Sequence, residues 1–212
     1  MTVIFQKISK TYTLKLVHFP EDEQDIFKLI KTYLSNEEIN HYKKIKNPKR
    51  KKEWCGTRFL LKKILGNYQE ITYSPSGKPD IKGNFFISIT HTGNYIGIIV
   101  SKKRQIGIDA EIISERILKT AHKFIPENEL SILKEKNDIK TIYFHWCAKE
   151  TLFKIKGDGG YDFLKDFVLF PKNLKEKGKI KAMISKSKIK GYTLNYHFIN
   201  HNDNNIILVW SS

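Results

Sequence analysis

Long apolar runs are missing from this 212-residue chain: residues 96–100 and 206–210 are the length of strands, while a membrane-spanning helix needs ~18–20 residues. Cysteine is nearly absent as well. Cys55 and Cys147 each fall inside a predicted helix, with no C-x-x-C pair and no histidine at zinc-ligand spacing. That excludes a disulfide framework and a structural zinc site, and fits two reduced core thiols in a cytosolic compartment. Residues 1–16 alternate apolar and polar positions with lysines throughout, unlike a signal peptide. The expectation is a cytoplasmic protein with no membrane segment.

Acid is the other shortage. Asp and Glu number 22 against 38 Lys and Arg, a net charge of +16. The excess is concentrated: between Lys43 and Lys63 there are ten cations and one acid, Glu53. Anionic partners follow from this, whether nucleic acid, a phosphorylated small molecule, an acidic protein or a membrane surface. With 40% hydrophobic and 12% aromatic residues the chain has ample material for a packed core, which excludes global disorder.

Residues 3–8 and 12–17 alternate like strands. A helix starts after Pro20 and runs to Leu34, and Ser35 with Glu38 has the spacing of a capping box opening a second. Pro48 ends that helix, and a third runs from Lys49 to a stop at Gly66. Strands at 70–73, 85–90 and 95–100 follow, with turn chemistry at Ser74-Pro-Ser-Gly77 and at His91-Thr-Gly93-Asn94. After a basic connection at 101–105 come a strand at 106–112, a helix from Ser114, another after Pro126 and a third over 140–156. Strands at 163–170, 180–184, 192–198 and 205–210 close the chain. The order is α+β with two similar α+β subdomains, residues 1–103 and 104–212.

The helix over 140–156 carries charge where it is most apolar. At 100° per residue Ile142, Tyr143, Trp146 and Phe153 share one arc, and Glu150 falls inside it. Phe144, Ala148, Leu152 and Ile155 make a second apolar arc, so the helix is buried on most sides. A buried carboxylate must be paired, hydrogen-bonded or metal-bound. Lys154, one turn on, and the adjacent Lys149 offer an ordinary Glu–Lys pair. Upstream, Gly107-Ile-Asp109-Ala-Glu111 puts two carboxylates on one strand face, with Ile106, Ile108 and Ala110 turned to a core. Such a pair suits Mg²⁺, although a solvated strand edge would look the same. His91 alone reads as a hydrogen-bonded structural histidine, Gly77-Lys78-Pro79 as a surface turn, and residues 49–52 as a solvated helix face.

Their order together is more specific. Gly77-Lys78-Pro79, Thr90-His91-Thr92, Gly107-Ile-Asp109-Ala-Glu111 and Trp146-Cys-Ala-Lys149-Glu150 with Lys154 resemble the 4′-phosphopantetheinyl transferases of the surfactin-synthetase-activating (Sfp) type, across about residues 49–157. The resemblance implies a pseudo-dimeric monomer that moves 4′-phosphopantetheine from coenzyme A to a serine of an acidic apo carrier protein. It implies Mg²⁺ on Asp109, Glu111 and Glu150, with Glu150 also a general base, either directly or through a metal-bound water. It gives Lys154 and His91 to the phosphates, and Lys49, Arg50, Arg58, Lys78, Pro79, Thr90 and Lys149 to the coenzyme A site. Three departures stand out: threonines flank His91, Ala110 replaces a larger aliphatic, and the residues from Lys156 to Gly160 lack the family's leucine.

Two other readings stay open on sequence grounds. The +16 charge and 26 aromatic residues suit a nucleic-acid-binding module, which would have no use for Asp109, Glu111 or Glu150. Another metal-dependent phosphotransferase or phosphodiesterase could use the same acids without binding coenzyme A.

Overall fold

A computed structural model describes the chain apart from Asp158, Lys172, Ser187 and Lys188. It divides into two compact units, Met1–Arg104 and Gln105–Ser212. Both mix helices with antiparallel strands, an α+β organisation.

In the first unit, strands β1 (Thr2–Ile8) and β2 (Tyr12–His18) lead into helices α1 (Glu23–Ile30), α2 (Asn36–Lys44) and α3 (Pro48–Leu65). A small hairpin of β3 (Ile71–Tyr73) and β4 (Pro79–Ile81) precedes strands β5 (Phe86–Thr92) and β6 (Tyr95–Ser101). The sheet order is β1-β2-β6-β5, antiparallel throughout. The helix ends follow from local chemistry. Asp22 accepts from the amides of Gln24 and Asp25 to start α1, and Ser35 with Glu38 forms the expected capping box on α2. Pro48 does not end α2, which stops at Lys44. It occupies the first turn of α3 behind an Asn47 cap, where its missing N–H costs nothing. Gly66, at φ +82°, closes α3 in the left-handed region. The core gathers Val17, Phe19, Ile26, Ile30, Cys55, Leu60 and Leu61 with Ile87, Ile96 and Ile98.

The second unit opens with β7 (Ile108–Ile112), continues through helices α4 (Glu127–Glu135) and α5 (Ile139–Lys156), and ends in β8 (Phe167–Phe170), β9 (Lys177–Ile184), β10 (Lys190–His201) and β11 (Asn204–Ser211). Its sheet order is β7-β11-β10-β9-β8. Asn202 and Asp203, both at positive φ, make the two-residue turn between β10 and β11. Ten of the 18 residues of α5 are buried, and the helix lies across β7 and β11.

The first helix, expected to run to Leu34, ends at Ile30 and gives way to a 3₁₀ turn, Lys31–Tyr33, and two later elements also differ. No α-helix follows Ser114: two short 3₁₀ turns, Glu115–Lys119 and Ala121–Lys123, stand there. The Ser114 hydroxyl lies 3.0 Å from the Tyr143 hydroxyl instead of capping, and Thr120 bonds back to the carbonyl of Ile117, a three-residue step. The strand expected over 163–170 shortens to Phe167–Phe170, because the Asp162 carboxylate accepts from the amides of Leu164 and Lys165 and folds residues 162–166 into a turn. No helix among the described residues is long and apolar enough to cross a membrane.

Candidate active site

Strand alternation sorts β7 cleanly. Ile108 and Ala110 are buried on one face, while Asp109 and Glu111 occupy the other. The approach of α5 is set at Gly107, where a Cβ would come within 2.2 Å of the Thr151 carbonyl oxygen. No larger residue fits there without pushing the helix away. The Thr151 hydroxyl donates to the carbonyl of Val209 on β11 at 3.3 Å, seating the same turn. Its neighbours Glu150 and Lys154 are thereby carried to the carboxylates of β7.

Lys154 does not spend its charge on Glu150 as the helical spacing suggested. Its ammonium donates to Asp109 Oδ1 at 2.7 Å and to the Ile108 carbonyl at 3.1 Å. Burial alone would lower its pKa, but the charges of Asp109 and Glu150 hold it above the ordinary lysine value. Glu111 lies 3.7 Å from Arg116, whose guanidinium is also held by the Tyr143 hydroxyl. Glu150 is left with a surplus of like charge. Burial first, then the charges of Asp109 and Glu111, push its carboxyl up to about 7, with Lys154 opposing. Cys147 faces the same acids. Burial and those charges push its thiol well up, so it is no nucleophile at neutral pH.

A magnesium ion is tested by this donor set. Hard carboxylate oxygens are the right chemistry, and Glu150, raised first by burial and then by the charges of Asp109 and Glu111, is a group whose ionised form a divalent cation would favour. Among the described residues no three His, Cys, Asp or Glu groups are drawn into a ready ligand shell. Asp109 and Glu111 each rest against a cation instead.

Lys149 corrects an expectation. It was placed with the coenzyme A contacts, yet it is 3% exposed, and its ammonium donates to the Phe163 carbonyl at 2.5 Å. Burial lowers its pKa to about 8 against the pull of Glu129 and Asp162. It pins the turn after α5 to the helix. Of the segment Lys156–Gly160 that departs from the family pattern, Asp158 lies outside the described residues.

In the first unit, Arg58 requires the clearest correction. It is 3% exposed: Nε donates to Glu38 at 2.8 Å, Nη1 and Nη2 reach the carbonyls of Trp54 and Ile71, and the guanidinium lies 3.5 Å over the Trp54 ring. The Tyr68 hydroxyl completes the shell of Glu38. A guanidinium with these partners is architecture and is not presented to a solvent-borne phosphate. Lys49 and Arg50 do face solvent, and both reach back to Glu53, at 3.9 and 3.2 Å. Lys49 also lines a 460 Å³ cavity shared with Lys52, Asp22, Glu23 and Glu53, a mixed-charge wall and not a purely cationic one. Lys78 and Pro79 lead from the 74–78 turn into β4. His91 packs toward α3, where its Nε2 lies 2.7 Å from the Thr57 hydroxyl. Thr90 is buried on the other face of β5, so the pleat separates it from His91. Thr57 and Arg116 went unread in the sequence, and Tyr143 was read only as part of an apolar arc. Only Thr57 left a signal, lying four residues after Glu53 on the face that carries Lys49.

A family model described as the 4′-phosphopantetheinyl transferase superfamily matches residues 105–205. Among curated relatives, the putative 4′-phosphopantetheinyl transferase slr0495 of Synechocystis sp. is 29% identical over 142 residues, covering 59% of this chain and 58% of that protein. The 4′-phosphopantetheinyl transferase HetI of Nostoc sp. is 27% identical over 143 residues, 59% of this chain and 60% of its own. The 4′-phosphopantetheinyl transferase gsp of Aneurinibacillus migulanus is 30% identical over 112 residues, 47% of each. The chain thus spans about three fifths of the length of the first two of these relatives.

Proposed function

We propose that this chain, whose residues 105–205 match the 4′-phosphopantetheinyl transferase superfamily, is an Sfp-type enzyme acting on coenzyme A and an apo carrier protein. The serine oxygen of the carrier attacks the phosphorus that bears the pantetheine arm. The bond from that phosphorus to the bridging oxygen breaks, and adenosine 3′,5′-bisphosphate departs. The observation that carries this reading is the cluster on β7 and α5: Asp109 and Glu111 on one strand face, Lys154 at 2.7 Å from Asp109, and Glu150 with its carboxyl near 7.

Each group has a task that suits its state. Glu150, poised near neutrality, takes the serine proton. Lys154, held charged by Asp109 and Glu150, neutralises phosphate oxygens as charge shifts toward the leaving group. Asp109, Glu111 and Glu150 would hold Mg²⁺, which supplies the remaining neutralisation of the pyrophosphate. In the first unit, Lys49, Glu53 and Thr57 follow one face of α3 toward His91, which supports a phosphate-contacting path for coenzyme A along that face. The net charge of +16 favours encounter with an acidic carrier. We read the two units as related halves of one monomer, each built on an 18-residue helix laid against an antiparallel sheet, working in the cytoplasm where Cys55 and Cys147 stay reduced.

The test is direct. The protein is incubated with coenzyme A, Mg²⁺ and a panel of apo carriers from fatty acid, polyketide and nonribosomal peptide synthesis, and each carrier is weighed by mass spectrometry. Gain of one phosphopantetheine mass on at least one carrier is expected. No gain on any carrier, together with no binding of coenzyme A by calorimetry, would overturn the assignment.

A further inference from the structure

The contact between Thr57 and His91 contains more information than its length. Thr57 sits in the middle of α3 and is 2% exposed. Its Oγ1 has two neighbours at 2.7 Å, the Glu53 carbonyl oxygen and His91 Nε2. A hydroxyl owns one proton, and a carbonyl oxygen can only accept. The proton of Thr57 therefore goes to Glu53, and Oγ1 turns a lone pair toward the ring. Nε2 must then be the donor. We infer that Thr57 is a positioning residue for His91: it accepts from a proton fixed on Nε2 and so holds the ring's orientation against α3.

The surrounding packing is built to keep that bond short. Gly56, the neighbour of Thr57, faces Ile96, and a Cβ there would come within 2.3 Å of Ile96 Cδ1. Ile96 is the cross-strand partner of His91. The glycine thus lets α3 settle onto β5 and β6 at the level of the histidine. Thr is a mediocre helix former, and its hydroxyl, bonded back to the preceding turn, slightly disfavours the helix. Placing it buried beside a glycine makes sense as a means of setting the ring, since a leucine or alanine would serve the helix better. The inference deepens the proposed path for coenzyme A and rests on that reading for its effect on affinity. The tautomer itself does not depend on it.

The experiment uses the full chain with ¹⁵N-labelled histidine. Long-range ¹H–¹⁵N spectra, with His91 identified through a His91→Gln variant, should show a single form protonated at Nε2. Thr57→Val, which keeps the shape and removes the hydroxyl, should release this preference and give a tautomer mixture. It should also raise the dissociation constant for coenzyme A about five- to tenfold, with kcat at saturating coenzyme A within about twofold. Thr57→Ser should restore both. A Thr57→Val protein of unchanged thermal stability that keeps the pure Nε2–H form and full affinity overturns the inference. So does a Thr57→Ser protein, equally folded, that restores neither. If the wild-type chain binds no coenzyme A, the functional proposal fails while the spectra still decide the role of Thr57.

Discussion

Helices α3 and α5 are a matched pair used in opposite ways. Each is 18 residues long, starts on a side-chain cap from Asn47 or Asp138, and stops on a glycine in the left-handed region. Each buries one cation almost completely, Arg58 and Lys149. On α3 the charge is balanced: Arg58 has a carboxylate, two carbonyls and an aromatic face. On α5 it is not: burial pulls Lys149 down to about 8 despite the Phe163 carbonyl, and at the next residue Glu150 meets the field of two more acids. A buried charge with every donor satisfied holds a fold together. A cluster with surplus charge of one sign is costly to the fold, and that cost is reasonable only where a cation or a proton is to be received.

The comparison predicts opposite phenotypes, and the largest effect belongs to α5. Asp109→Asn and Glu150→Gln should each lower carrier modification by about a hundredfold or more while the circular dichroism spectrum is unchanged. Full activity in either variant would remove these carboxylates from the site. Arg58→Met should do the reverse. Breaking a buried pair leaves Glu38 uncompensated, at a cost of about 3–5 kcal/mol in denaturant unfolding, but coenzyme A affinity of the folded fraction should not change. An affinity loss with normal stability would return Arg58 to the ligand site.

How much of this could be read from the chain alone differs between the helices for a physical reason. The carboxylates of β7 and α5 were legible because strand and helix periods place them, and period is a property of sequence. The capping box of Ser35 and Glu38 was legible for the same reason. Partners chosen across long sequence separations were not. Arg58 finds Glu38 twenty residues upstream and Lys149 finds a backbone carbonyl, so both looked like available cations in a basic chain. Thr90 and His91 were read as one motif, although adjacent strand residues point to opposite faces. The 3₁₀ turns after Ser114 were hidden because the hydroxyl that would have capped a helix is taken by Tyr143.

A subtler consequence of burying Glu150 beside two more acids appears in the pH dependence of the ligand-free protein. The carboxyl of Glu150 rises from an ordinary value of 4.5 to about 7 on folding. A raised carboxyl means that the folded chain binds the proton more tightly than the unfolded chain does. Its contribution is fully favourable below about pH 4.5 and is lost as pH climbs through about 7. Glu150→Gln removes this dependence. With a chelator present, the variant should match the parent near pH 4.5 and exceed it by roughly 1–3 kcal/mol at pH 8. Parallel stability curves would show that neither burial nor the neighbouring acids raise the carboxyl of Glu150. At pH 8 the substitution thus makes the protein more stable and inactive, the opposite of what is expected for Arg58→Met.

The smallest effect on stability tests the exposed end of α3. Lys49 and Arg50 share Glu53 at the surface, with side chains 65% and 75% exposed. Solvent and salt screen such pairs, so Lys49→Ala or Arg50→Ala should shift unfolding by less than about 1 kcal/mol. On the proposed reading their value would lie in charge offered to coenzyme A. Each alanine should weaken coenzyme A binding severalfold at low salt, and the gap to the parent should close as salt is raised, because a screened cation contributes little in either protein. Glu53→Gln would free both cations from their intramolecular partner and should act in the other direction, tightening binding at low salt. A helix whose buried Arg58 governs stability alone and whose exposed cations govern affinity alone has its two kinds of charge divided by burial. If Lys49→Ala instead unfolds the protein, or Glu53→Gln leaves affinity untouched, that division of α3 does not hold.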